Sequence, residues 1–144
     1  MALPDPAPGL VIGYAYLWRD ERRSGLEEGR KDRPCVIVLA VQGREDGTEV
    51  IVAPITHRPP DRPEFAVEIP AETKRRLGLD DQPSWIVCTD LNRFIWPGPD
   101  LRPTSRGGQT YAYGLLPAAL YRSVRERVLG LARAGRAALT PRSQ

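Results

Sequence analysis

The sequence contains very few histidines, lysines and cysteines. Its 144 residues include one histidine, His57, and only two lysines, Lys31 and Lys74. A single histidine excludes any site in which two histidines share acid–base catalysis. The two cysteines, Cys35 and Cys88, each lie within an apolar, strand-like segment. This position indicates buried, reduced thiols rather than a disulfide, which is typical of a cytoplasmic protein.

Long hydrophobic runs and several functional motifs are also absent. No apolar run approaches the ~20 residues that a membrane-spanning helix needs. Residues 1–9 lack the basic and apolar regions of a signal peptide, and we interpret them as an extended N-terminal arm. The sequence has no phosphate-binding glycine loop, dinucleotide fingerprint or G-x-S-x-G motif. No group of His, Cys, Asp and Glu has metal-site spacing, so we expect no metal and no other cofactor.

Proline, glycine and arginine are abundant instead. The 15 prolines and 13 glycines predict short secondary-structure elements separated by many turns. Almost all of the positive charge is arginine, and the formal net charge is +3. This mild excess permits an anionic partner without requiring one, and the arginine content reflects either phosphate binding or a high-GC genome. The length suits one domain over residues 1–144, with a flexible tail at 140–144.

Apolar patterns predict a series of short strands and two helices. The strands are predicted at 10–18, 34–41, 48–56, 65–70, 84–96 and 110–116. Residues 71–79 predict a short helix that ends at Gly78. A C-terminal helix is predicted from Pro117, where apolar residues recur at helical spacing: Leu120, Val124, Val128 and Leu131. This order predicts a mainly β, α+β fold whose small, strongly bent sheet closes towards a barrel.

Two polar residues lie at the ends of neighbouring strands in this predicted sheet. Arg33 precedes the second strand, and Thr56 ends the third. If the glycine-containing turn between these strands joins them as an antiparallel hairpin, Arg33 and Thr56 meet at the same edge of the sheet. His57 then lies beside them. A guanidinium, a hydroxyl and an imidazole are therefore expected to converge beneath the two polar loops at 19–32 and 57–64.

The residues around these positions resemble the MazF/PemK family of toxins from bacterial toxin–antitoxin pairs. That family has a Gly-x-Glu loop that leads to Arg-Pro and an apolar strand, and then a second strand that ends in Pro-hydrophobic-Thr. The matching residues here are Gly25, Glu27, Gly29, Arg33, Pro34, Pro54, Ile55 and Thr56. The resemblance implies a small SH3-like barrel of the CcdB/MazF type, a homodimer and an antitoxin partner. It also implies metal-independent cleavage of single-stranded RNA at short sequences.

By the same resemblance, the family's catalytic arginine and threonine correspond to Arg33 and Thr56. His57 stands where the family often has a small hydroxyl residue. The stretch 89–103 is only loosely similar to the family's Asp-x-x-Arg-Leu segment, and we assign no catalytic role there.

The chemistry of RNA cleavage suits these side chains. RNA carries its own nucleophile, the 2′-hydroxyl, so the protein needs to position the phosphate and stabilise charge on its oxygens. Arg33 can make a two-pronged contact with phosphate, and Thr56 can donate a hydrogen bond to a phosphate oxygen. Imidazole changes its charge near neutral pH, so His57 is the candidate proton carrier. The candidate RNA-binding residues are Glu27, Arg30, Lys31, Arg58 and Arg62.

Other interpretations of the same residues stay open. Arg33 can be an ordinary solvated arginine that pairs with Asp32 or Glu27, and Thr56 can be a simple β-former at a strand end. A CcdB-like protein with the same barrel acts as a non-enzymatic poison that binds DNA gyrase. A nucleic-acid-binding module without activity is a third alternative, because fold alone does not determine function. Incubation of the protein with single-stranded RNA in EDTA separates these alternatives.

Overall fold

The part of the chain that the structure describes folds into a large β-sheet that packs against helices. The computed structural model describes residues 3–20, 32–43, 47–104 and 110–142. Within these ranges the strands are Leu10–Tyr14 (β1), Arg33–Gln42 (β2), Thr48–Thr56 (β3), Ala66–Glu68 (β4), Trp85–Val87 (β5), Asp90–Ile95 (β6), Leu101–Arg102 (β7), Ala112–Leu115 (β8) and Ala138–Pro141 (β9). The helices are Ala71–Leu77 (α1) and Ala118–Arg133 (α2), and Pro63–Phe65 forms a short 3-10 turn.

Strand β3 lies at the centre of the sheet. It pairs with β2 along one edge, and its other edge pairs with β6 near its start and with β5 at its end. Strand β1 continues the sheet beyond β2 and pairs with both β7 and β8. These pairs are antiparallel, whereas β9 runs parallel to β6. The mainly β, α+β fold class predicted from the sequence is therefore confirmed.

The sheet does not close into a barrel, so that part of the prediction is wrong. In the described ranges, each of β4, β7, β8 and β9 pairs with a single strand, which leaves the sheet with open ends. The outermost strands are very short, and prolines flank two of them: Pro63 and Pro70 around β4, and Pro99 and Pro103 around β7. Because proline has no backbone N–H, these flanks cannot extend a hydrogen-bonded ladder around the molecule.

The central strands are buried on both faces. Along β2, Cys35 and Ile37 pack into one apolar cluster, whereas Val36 and Val38 pack into the other. Alternate residues of a strand point to opposite faces, so a strand covered on both sides needs apolar residues at every position. This burial explains the apolar residues from Cys35 to Val38, whereas Leu39 and Val41, further along the same run, are exposed.

Helix α2 covers one face of the sheet. It begins directly after Pro117, and Val124, Val128 and Leu131 are buried in the same cluster as Val36. The predicted apolar stripe therefore packs against the sheet. Helix α1 ends at Gly78, whose φ of 72° confirms the predicted left-handed stop. No helix in the described ranges is both long enough and apolar enough to cross a membrane.

The segment after α2 corrects the predicted tail. Thr140 and Pro141 belong to β9, and the next residue, Arg142, is buried. The guanidinium of Arg142 lies 2.9 Å from the Asp100 carboxylate, and its Nη1 donates to the carbonyl of Ala15 at 2.7 Å and to Asn92 Oδ1 at 3.0 Å. These contacts attach β9 to the other end of the chain, so the predicted tail is wrong for residues 140–142.

Candidate functional site

Strands β2 and β3 bring Arg33 and Thr56 together. In their ladder Cys35 lies opposite Pro54, and continuing this register places Arg33 opposite Thr56. The Arg33 Nη1 donates to the carbonyl of Ile55 at 3.4 Å. The two residues thus lie at one edge of the sheet, as the hairpin predicts.

A cleft of about 420 Å³ opens at this edge. Its lining includes all three predicted catalytic residues, Arg33, Thr56 and His57, together with Arg58. Arg62 does not line this cleft; its guanidinium lies 4.0 Å from the Glu64 carboxylate on the protein surface. The other predicted RNA-binding residues, Glu27, Arg30 and Lys31, lie outside the described residues.

The guanidinium of Arg33 is held against an aromatic ring. Its Cζ lies 5.1 Å from the centre of the Trp18 ring, which restricts the side chain by a cation–π contact. The Nε atom is buried and has no hydrogen-bond partner in the described part of the chain. A buried donor without a partner costs about 1–3 kcal/mol.

The Thr56 hydroxyl accepts a hydrogen bond from the backbone N–H of Arg58 at 3.2 Å. This contact turns the chain at the start of the loop after β3. A hydroxyl has one proton to donate in addition to its acceptor sites. Thr56 can therefore still donate a hydrogen bond into the cleft beside Arg33.

His57 belongs to a chain of polar contacts that the sequence analysis missed. Its Nε2 lies 2.6 Å from Asp80 Oδ2, and Asp80 Oδ1 accepts from Lys74 Nζ, also at 2.6 Å. Lys74 is buried on α1, with a side chain only 5% exposed, and it also donates to Ser84 Oγ at 2.6 Å and to the carbonyl of Gln82. Although partial burial opposes it, the hydrogen bonds from Lys74 and His57 lower the pKa of Asp80.

One signal in the sequence could have revealed this contact chain. Lys74 is one of two lysines among many arginines, and it lies three residues before Leu77, which is buried on the same helix. A lysine on the apolar face of a short helix needs a buried polar partner. The partner, Asp80, follows shortly after the helix ends, in a loop that had no distinguishing pattern.

The lowered pKa of Asp80 predicts how stability depends on pH. An aspartate whose pKa falls on folding stabilises the folded state above its unfolded pKa of about 3.9, and this contribution is lost as the pH falls through the lowered value. We expect Asp80→Asn to reduce the free energy of unfolding at pH 7 by about 1 kcal/mol or less, because the carboxylate is 47% exposed and solvent screens it.

Urea denaturation at pH 7 and at pH 3 measures this difference. The difference in the free energy of unfolding between the wild type and Asp80→Asn should shrink at the lower pH. Asp81→Asn, a substitution at the neighbouring exposed aspartate, serves as the control. A deficit of equal size at both pH values would contradict the assignment.

A second cleft of about 570 Å³ continues from the first. Thr56 and Arg58 line both clefts and form the ridge between them. Two half-buried aromatic residues, Trp18 and Phe65, line the second cleft, together with the carboxylates of Asp20, Asp61 and Asp90. The two clefts therefore form an extended groove that passes over Thr56.

The cysteines do not contribute nucleophiles to this groove. Cys35 and Cys88 are free and buried, as predicted. Burial raises the pKa of Cys88 to about 12 and raises the pKa of Cys35 further. Thiols in this state are protonated and unreactive at neutral pH. In the described ranges, no three His, Cys, Asp or Glu residues converge as metal ligands.

Comparison with known protein families identifies the chain. A family model described as "PemK-like, MazF-like toxin of type II toxin-antitoxin system" matches residues 17–94, more than half of the sequence. The match includes the β2–β3 hairpin, α1 and the Asp80 loop, and thus most of the first cleft. A search of curated proteins gives no match. The chain therefore belongs to the PemK-like, MazF-like toxin family of type II toxin–antitoxin systems, in which the toxin has an antitoxin partner.

Proposed function

We propose that this toxin is an endoribonuclease that cleaves single-stranded RNA, such as mRNA, at short sequence motifs. The observation that carries the proposal is the buried, unpartnered Nε of Arg33, held over Trp18 at the mouth of a cleft that Thr56 also lines. A guanidinium in this setting suits a phosphate, because it is always charged and presents several donors in a fixed plane. The family match independently supports a toxin role.

The proposed reaction needs only groups that the RNA and the cleft supply. The 2′-oxygen attacks the adjacent phosphorus, and its proton passes to the imidazole of His57. Arg33 and Thr56 stabilise the charge that grows on the phosphate oxygens. The P–O5′ bond breaks, and the 5′ oxygen takes up a proton from water. The products are a 2′,3′-cyclic phosphate and a 5′-hydroxyl, and the imidazolium returns its proton to the solvent.

The RNA is proposed to follow the groove formed by the two clefts. Arg58 lies on the ridge between them, and Trp18 and Phe65 offer aromatic surface on the far side. Arginine contacts hold the RNA backbone, and aromatic rings can stack on bases of any sequence. Arg62, Glu27, Arg30 and Lys31 complete the proposed set of RNA contacts.

The proposal extends to assembly and location. By the family resemblance, the toxin works in the cytoplasm as a homodimer. An antitoxin would inhibit it with an acidic segment that occupies the RNA groove, because carboxylates compete with phosphates for the same arginines.

The 2′-hydroxyl requirement gives a direct test. An RNA with 2′-deoxyribose at the scissile position should resist cleavage completely, because it lacks the nucleophile, while the all-ribose substrate is cut in EDTA. Gel analysis of both oligonucleotides, with mass spectrometry of the products, measures this. Equal cleavage of the two substrates, or activity only with added Mg²⁺, would overturn the mechanism. A protein that binds RNA without cutting it would favour the nucleic-acid-binding module. A protein that does not bind RNA would favour the CcdB-like poison.

A further inference from the structure

We propose that Asp80, held in place by Lys74, is a positioning residue that keeps the proton of His57 on Nε2 and leaves Nδ1 as the base. The inference rests on the proposed ribonuclease function and deepens it, because it assigns the orientation and protonation of the proton carrier to two residues outside the predicted site.

The contacts of Asp80 engage both of its carboxylate oxygens. Oδ2 lies 2.6 Å from His57 Nε2, and Oδ1 accepts from Lys74 Nζ at 2.6 Å and from the backbone N–H of Gln82 at 3.1 Å. The carboxylate is therefore fixed from its far side while its other oxygen faces the imidazole. A side chain held in this way can orient the ring that it contacts.

The protonation state follows from the neighbouring charge. The ammonium of Lys74 is almost completely buried and needs a negative partner, which keeps Asp80 ionised. An ionised carboxylate can only accept hydrogen bonds. His57 Nε2 must therefore carry the proton in this contact, and in the neutral ring the other nitrogen, Nδ1, has the free lone pair.

Lys74 also explains how an exposed aspartate becomes a fixed support. Its Nζ donates to Ser84 Oγ and to the carbonyl of Gln82 as well as to Asp80, so one buried ammonium fastens the whole 78–84 loop to α1. The Asp80 carboxylate is 47% exposed, yet its position is set by a side chain that is 5% exposed. This burial distinguishes the arrangement from an ordinary surface ion pair.

The charge of the cleft gives Asp80 a second effect. Among the residues that the structure describes, the titratable and charged side chains that line the cleft around His57 are Arg33, Arg58, Lys74, Asp80 and Tyr113. Asp80 supplies the only carboxylate among these lining residues. When the imidazole takes the 2′-hydroxyl proton, the new positive charge forms beside this carboxylate rather than beside arginines alone.

Nuclear magnetic resonance measures which ring nitrogen of His57 carries the proton, and it needs no activity assay. His57 is the only histidine in the chain, so the ¹⁵N signals of its ring need no assignment by mutation. We expect the neutral ring of the wild type to show the Nε2–H tautomer, and Asp80→Asn to give a mixture, because an amide can donate as well as accept. Asp81→Asn is the matched control and should leave the tautomer unchanged. An Nδ1–H tautomer in the wild type, or no change in Asp80→Asn, would overturn the inference.

Cleavage kinetics test whether the pair acts as a unit. Asp80→Asn should lower kcat by about 10–10²-fold with little change in KM, as is typical when a positioning partner is lost. The same change should cost nothing further in a His57→Gln background, because its effect passes through the ring. Asp80→Glu, which keeps the carboxylate, should recover part of the loss.

The outcomes separate this inference from the proposed function. An equal loss from Asp80→Asn in both backgrounds, or no loss in either, would overturn the positioning role while RNA cleavage by the wild type still supports the ribonuclease. A wild-type protein that fails to cleave RNA would overturn the function itself. In that case the inference falls with it, even if the resonance experiment shows the predicted tautomer.

Discussion

Arg33→Ala is expected to slow RNA cleavage by roughly 10²–10³-fold, because it removes the guanidinium that stabilises charge on the phosphate. The loss should appear in kcat, since the charge develops in the transition state. The fold should survive, because Arg33 is only half-buried at a strand edge, and among the described residues its side chain makes a single long hydrogen bond, to the carbonyl of Ile55. Initial rates on a single-stranded RNA, with a thermal melt of each variant, measure both effects.

Three further variants make this test decisive. Thr56→Val is nearly isosteric and should lose less activity than Arg33→Ala, because it removes one neutral donor. Arg76→Ala removes an exposed arginine on α1 that lines neither cleft, so it controls for loss of positive charge. Arg33→Met keeps packing against Trp18 if the alanine variant unfolds. If the Arg33 and Thr56 variants both cleave RNA at the wild-type rate, the catalytic site lies elsewhere in the protein.

Arg142→Met is expected to lower the free energy of unfolding by about 3–5 kcal/mol, because it breaks a buried ion pair by removing the arginine and keeping the Asp100 carboxylate. The two side chains are only 2% and 8% exposed, so water cannot replace the lost interaction. The same change removes the hydrogen bonds to Ala15 and Asn92 and the contact of the guanidinium with the Tyr14 ring, 5.6 Å away.

Urea denaturation of the wild type and variant gives this difference. The double variant Arg142→Met/Asp100→Asn should recover much of the loss, because no uncompensated charge then remains in the interior. A loss below about 1 kcal/mol in the single variant would show that β9 and its ion pair contribute little.

The sequence by itself predicted the regions that contain β1 to β6 and β8, the helices α1 and α2, and the meeting of Arg33 and Thr56 at one edge of the sheet. It predicted neither β7 nor β9. The predicted features depend on neighbouring residues: apolar runs of strand length, the helical spacing from Leu120 to Leu131, and the stop at Gly78. Few residues separate β2 from β3, so the start of β2 and the end of β3 must lie close together, although a bulge between Ile37 and Leu39 sets the exact register. For the same reason, two of the candidate site residues could be predicted to meet at one edge of the sheet.

Only the tertiary structure showed that the sheet stays open, that the last strand, β9, packs into the fold, and that Asp80 contacts His57. Arg142 and Ala15 are 127 positions apart, and His57 and Asp80 are 23 apart. No local pattern specifies such partners, because these contacts depend on how the elements pack. The buried ammonium of Lys74 needs a negative partner, which it finds six residues away in Asp80. Packing of the loop after α1 against the end of β3 then brings the same carboxylate to His57, and neither segment specifies this contact by itself.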